Sequence, residues 1–142
     1  LGRIAMENLF HLQFDIKQVN AISAVGLAHI GDGVYELLCR SHLCVQGDKT
    51  LKNLHNHTIS LVKAPTQAKL ALSVEPLLTE EEQAIYRRGK NAHTHAHPKS
   101  ATAKEYALAT GLEALFGALY LLGRQSRILE LFSKMMEVYD GL

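Results

Sequence analysis

No run of apolar residues in this chain approaches the roughly 18 needed for a helix to cross a bilayer, which excludes a membrane-spanning helix. Tryptophan is absent and there are only 3 prolines, so nothing suggests a disordered tail or a linker that would divide domains. The 2 cysteines, Cys39 and Cys44, fit neither a CxxC motif nor a zinc-ligand spacing. Lying on one expected helix, they read as reduced core or boundary thiols of a cytosolic protein. A strong net charge is missing as well: at +1, the molecule as a whole is not a histone-like binder of nucleic acid. Period-2 alternation, the mark of half-buried strands, occurs nowhere. What remains is a 142-residue chain, 47% hydrophobic, sufficient for one domain over 1–142 with a real core. Leu1-Gly2-Arg3-Ile4-Ala5 lacks the charged start, apolar centre and cleavage site of a secretory signal. It is expected to be an added or trimmed remnant before a natural start at Met6.

The periodicity is helical throughout. Residues 6–19 read as an arm or partly helical lead-in, and Asn20 as the N-cap of a long helix over 21–45, punctuated by Gly47-Asp48. Gly26, Gly31 and Gly33 weaken that helix by about 1 kcal/mol each, so close approach of another helix is expected there. Leu51, Leu54, Thr58 and Leu61 share one face of a second helix over 50–62. A third covers 66–74, with Pro65 in its first turn and Pro76 helping to end it. Thr79-Glu80-Glu81-Glu82 is a capping box opening a fourth helix over 80–88, which Gly89 is expected to stop. After a polar loop over 89–100, a fifth helix spans 103–122, ended by Gly123. A sixth spans 126–138, with Ile128, Leu131, Phe132, Met135 and Met136 as its buried stripe. The expected class is all-α, a bundle of six or seven helices.

Two of these helices carry an acid where apolar residues should be. Asp32 sits within Leu27-Ala28-His29-Ile30-Gly31-Asp32-Gly33-Val34-Tyr35, and Glu113 within Thr110-Gly111-Leu112-Glu113-Ala114-Leu115-Phe116. An ionised carboxylate on an apolar surface is costly without a compensating partner. Two such acids most simply share a hard divalent cation, and Mg²⁺ suits one or two carboxylates with water and phosphate oxygens completing its shell. The plainer alternative is that each acid caps or salt-bridges a neighbouring element. Glu36, one turn after Asp32, would face either the same site or solvent. Tyr35 and Tyr120 read as core or dimer-interface aromatics with polar tips.

Ile30-Gly31-Asp32-Gly33-Val34-Tyr35-Glu36 resembles the signature of the ribonuclease III catalytic domain. Gly111-Leu112-Glu113-Ala114-Leu115-Phe116-Gly117-Ala118-Leu119-Tyr120 is similar to that family's second motif. The likeness is greatest to its short branch, Mini-ribonuclease III, which lacks a double-stranded-RNA-binding domain. Further similar stretches are Leu54-His55, Val62-Lys63-Ala64 with Gln67-Ala68, Arg87-Arg88-Gly89-Lys90-Asn91-Ala92, Pro98-Lys99, and Tyr106 with Thr110-Gly111. Together they span about residues 15–130. Longer ribonuclease III chains carry additional acids where this sequence has Val25, Ala28 and Thr110, losses that the short branch shares; His29 replaces an aromatic of that branch.

The resemblance implies a ribonuclease III endonuclease-domain-like fold and a Mg²⁺-dependent endoribonuclease, with Mn²⁺ as a possible substitute. Asp32 and Glu113 would be its catalytic and metal-ligating residues. It further implies cleavage of double-stranded RNA by a homodimer, in maturation of large-subunit (23S) ribosomal RNA, in the bacterial cytoplasm or a plastid. From Arg87 to Lys104 there are five Lys/Arg, three histidines and no acid. Arg87, Arg88, Lys90 and Lys99 would contact phosphates, and Asn91 and Thr94 phosphate or ribose, consistent with recognition of duplex RNA by shape and backbone. His93, His95 and His97 alternate in a polar loop without a nearby Cys or acid, and read as solvated side chains rather than a zinc site. One alternative is a non-catalytic RNA-binding or ribosome-assembly protein that keeps the fold. A weaker one is a nucleotide phosphohydrolase, though such helical enzymes usually show His-Asp pairs, and this sequence has none.

Overall fold

The computed structural model describes residues 8–47, 50–92, 99 and 101–141. Among these are seven α-helices and no strand: α1 (Ile16–Asn20), α2 (Ala24–Val45), α3 (Leu51–Val62), α4 (Ala64–Val74), α5 (Glu80–Lys90), α6 (Ala103–Leu121) and α7 (Gln125–Asp140). A 3-10 turn, Glu75–Leu77, follows α4 where Pro76 cannot continue the helix. The expected all-α bundle is therefore observed, and no described helix is long and apolar enough to cross a membrane. Asp48, the His93–His97 loop with Thr94, Pro98, Ser100 and the first seven residues lie outside the described residues.

Local chemistry sets most helix starts. Thr50, Thr79 and Thr102 each accept from the backbone N–H three residues on. Glu82 and Glu105 close reciprocal capping boxes at α5 and α6, satisfying donors that a helix start otherwise leaves orphaned. Gly123 ends α6 with φ +74°, a left-handed conformation cheap only for glycine. Two expectations need correction. Asn20 does not cap the long helix: a capping box between Asp15 and Gln18 nucleates α1, which absorbs Asn20, and Ser23 caps α2 by accepting from Gly26. Nor does Gly89 stop α5, which runs on to Lys90 with Asn91 as its C-cap.

The bundle is organised around α6, which is buried on nearly every side and packs against α2, α4, α5 and α7. Such a helix is apolar all round rather than striped, as expected for a core element. Leu112, Leu115, Phe116 and Leu119 are at most 1% exposed, each contributing roughly 1.5–3 kcal/mol by leaving water. The α7 stripe of Ile128, Leu131, Phe132, Met135 and Met136 is buried as its spacing predicts. Tyr35 stands in the same core, edge-on to Phe116 and Phe132, and its hydroxyl donates to the Leu61 carbonyl at 2.7 Å. That burial removes Tyr35 from any role on an outer face. Tyr120 is half-buried, its hydroxyl donating to the Leu9 carbonyl. Cys39 is buried and Cys44 exposed, both as free thiols.

One ion pair locks α7 onto the start of α5. Glu82 is 3% exposed, and Arg127 donates to both its oxygens, at 2.9 and 2.8 Å, while also reaching the Leu77 carbonyl. Burial alone would raise the Glu82 carboxyl; the Arg127 fork and the Thr79 backbone N–H outweigh it and hold the group below its ordinary range.

Candidate active site

The position of the two anomalous acids follows from a backbone-to-backbone crossing of α2 and α6. Gly31 and Gly117 meet there. A Cβ on Gly31 would overlap the Glu113 carbonyl and come 2.9 Å from the Gly117 nitrogen, while one on Gly117 would overlap the Leu27 carbonyl. Only glycine permits this approach, and it sets the residue after Gly31, Asp32, against Glu113. The expected close packing at the α2 glycines thus holds for Gly31. Gly33 has nothing within 4 Å of where its Cβ would lie, and Gly26 approaches only Ile22 and Ser23 beside its own cap. A second glycine crossing, Gly89 against Gly111, seats α5 on α6: a Cβ on Gly89 would come 2.8 Å from the Gly111 Cα and 2.7 Å from the Ala114 Cβ.

Asp32 and Glu113 line one cleft of about 190 Å³ together with Val25, Ala28, His29, Tyr106 and Thr110. Asp32 is exposed and Glu113 half-buried. Glu113 is pushed up to about 8, first by burial, then by the Asp32 charge and by a hydrogen bond with that side chain; a hydrogen bond from the Gln67 amide acts the other way. Two carboxyl groups this close resist double ionisation, which is the electrostatic condition a divalent cation relieves. No group of three or more His, Cys, Asp or Glu converges anywhere among the described residues. The donor set is therefore two carboxylates, sufficient for Mg²⁺, which keeps much of its water shell, and short of the three or four protein ligands of a zinc centre. Val25, Ala28 and Thr110, the positions where longer ribonuclease III chains carry further acids, all line this same cleft and add no third carboxylate to it.

The other candidates separate. Glu36 is outside the cleft and pairs with Arg40 at 3.5 Å, one turn along α2. Arg87 and Asn91 are exposed at the end of α5, and Lys99 is exposed as well. Lys90 is half-buried, its ammonium 4.7 Å from the centre of the Tyr86 ring, whose hydroxyl donates to Glu75. Arg87 and Lys90 border a concavity of about 360 Å³ with Glu75, Gln83 and Tyr86. Arg88 faces another way: its Nη2 donates to the Ile22 carbonyl at 2.8 Å, tying α5 to the turn before α2. Thr94 and the three alternating histidines lie outside the described residues. Gln67 is the site neighbour whose role sequence reasoning missed; its place in the family-like pair Gln67-Ala68 was the available signal.

A Ribonuclease III domain profile matches residues 26–124, which contain both acids and both glycine crossings. The fold is shared with a crystal structure from Fusobacterium nucleatum, at a TM-score of 0.72 and 34% identity over 78% of this chain and 84% of that one. The class is thus a ribonuclease III-type endoribonuclease.

Within that class, the chain is 45% identical to Mini-ribonuclease 3 of Symbiobacterium thermophilum over 73% of its own length and 80% of the relative's. It is 41% identical to Mini-ribonuclease 3 of Thermoanaerobacter sp. over 86% of each chain. The chain belongs to the Mini-ribonuclease 3 family.

Proposed function

We propose that this chain cuts double-stranded RNA at the Asp32–Glu113 cleft, with both carboxylates holding Mg²⁺, or Mn²⁺ in its place. The observation that carries the reading is the contact between two acids from different helices, one of them half-buried and reluctant to ionise beside the other. When bound, the cation supplies an activated water and neutralises charge on the scissile phosphate. The protein's share is geometric. The Gly31–Gly117 crossing fixes the spacing of the two carboxylates, and the absence of a third carboxylate among the described residues of the cleft lining leaves coordination positions for water and phosphate oxygens.

The RNA backbone runs past the end of α5, where Arg87 and Lys90 meet phosphates and Asn91, Thr94 and Lys99 extend the contact into the following loop. Duplex RNA read by phosphate and 2′-hydroxyl needs cations and small polar groups, and this region supplies both. The enzyme acts as a homodimer, two sites serving two strands, as the approximate two-fold symmetry of a duplex favours. Leu37 (58% exposed), one turn from the open Gly33 on α2, supports an apolar contact beside each cleft. The biological substrate is a precursor of large-subunit (23S) ribosomal RNA, cut in the bacterial cytoplasm.

The test is incubation with a long RNA duplex with and without Mg²⁺, alongside Asp32→Asn and Glu113→Gln. Short duplex products that need both Mg²⁺ and both acids are expected. Undiminished cleavage by either variant would move the active site elsewhere.

A further inference from the structure

Behind the carboxylate pair lies a buried amide that the reaction as described does not use. Gln67, on α4, is 3% exposed. Its Nε2 donates at 2.7 Å to the Val62 carbonyl in the last turn of α3, and the side chain neighbours Glu113, where hydrogen bonding from it counters the upward push on that carboxyl. Its Oε1 is buried and has no hydrogen-bond partner among the described residues. The bond to Val62 accounts for one end of the amide, but packing and that bond alone leave the buried Oε1 unexplained.

The arrangement has the form of an outer support for a metal ligand. One amide proton is tethered to a backbone carbonyl, which fixes the plane of the group. The side chain neighbours the Glu113 carboxylate, and its Oε1 is left without a donor among the described residues. We propose that Gln67 is a positioning residue of the active site: its tethered amide holds the Glu113 carboxylate in its ligating orientation. The assignment rests on the reading of Asp32 and Glu113 as cation ligands.

The experiment uses the full chain with Gln67→Leu and Gln67→Met, and Mn²⁺ as the probe, its binding followed by electron paramagnetic resonance without RNA. Loss of an outer-shell partner typically weakens metal binding by about 10–100-fold, and the Mn²⁺ Kd is expected to rise by about tenfold or more. Both variants also lose the bond to the Val62 carbonyl, so the metal-free melting temperature should fall by no more than about 4 °C. In cleavage assays the Mg²⁺ concentration for half-maximal rate should rise by the same factor, with KM for duplex RNA unchanged. Parental Mn²⁺ affinity in a folded variant would overturn the role of Gln67 while leaving the carboxylate pair intact. Weaker Mn²⁺ binding accompanied by a larger fall in melting temperature, or failure of both variants to fold, would make Gln67 a structural residue and also overturn it. Asp32→Asn and Glu113→Gln serve as controls: undiminished Mn²⁺ binding in these would overturn the metal site itself.

Discussion

Raising the pH should loosen the metal-free protein, and Glu113 is the group responsible. The folded chain holds its proton up to about 8, against an ordinary value of 4.5, chiefly through burial and the neighbouring Asp32. Between those limits the native state binds more protons than the unfolded chain, so stability declines as pH rises through the window and is level beyond either end. Each tenfold difference in proton affinity is worth about 1.4 kcal/mol, which sets a ceiling of about 5 kcal/mol. Glu113 opens onto a solvated cleft, and screening brings the expected loss to about 2 kcal/mol. For a chain of this size that corresponds to roughly 4–8 °C in Tm. The assay is thermal unfolding in EDTA at pH 5.5 and 8.0, comparing the parent with Glu113→Gln, which titrates nothing at this position. The difference between the two profiles cancels the histidines and other groups common to both. Mg²⁺ at pH 8.0 should restore the parent and leave the variant unmoved. Parallel profiles, agreeing within about 1 °C across the range, would refute the coupling of Glu113 to Asp32 and with it the electrostatic case for a cation.

Gly31→Ala should cost about 3 kcal/mol or more and abolish cleavage, since its methyl would overlap the Glu113 backbone, whereas Gly33→Ala, with open space around it, should be neutral or slightly stabilising; thermal melts of the pair decide. Arg127→Leu should cost about 3–5 kcal/mol in urea unfolding at pH 7 because it strands the buried Glu82 carboxylate. Glu82 is held below its ordinary 4.5, so that loss should shrink as the pH falls below this value; a cost under about 1 kcal/mol at pH 7 would refute the lock. Arg87→Ala and Lys90→Ala should each weaken duplex RNA binding and lower the salt-dependence slope by about 1, while Arg88→Ala should lower Tm more than affinity, because its guanidinium holds the Ile22 carbonyl.

Which features could be read in advance depended on how far apart the cooperating atoms lie along the chain. The Thr79–Glu82 capping box and the Gly123 stop involve partners within a few residues, and both stand as their motifs indicate. Asn20 and Gly89 were misleading for the opposite reason. Asn20 has the chemistry of a cap, but a competing box three residues upstream of Gln18 captured it. Gly89 has the chemistry of a stop, yet its missing side chain serves contact with Gly111 on another helix. Arg88 reads as one more cation of a basic run, and only its position against Ile22 turns it inward.

The order of residues alone determined an all-helical chain, its helix ends within a few positions, and two carboxylates out of place on apolar helices. These are consequences of hydrogen-bond periodicity and of the cost of burying charge, which act within a turn or two of the backbone. The tertiary structure decided that the two carboxylates touch, that Val25, Ala28 and Thr110 border them without charge, and that Gln67 stands behind Glu113. Each of those facts depends on two helices meeting at Gly31 and Gly117 closely enough to exclude a single methyl group, a distance that no local rule encodes.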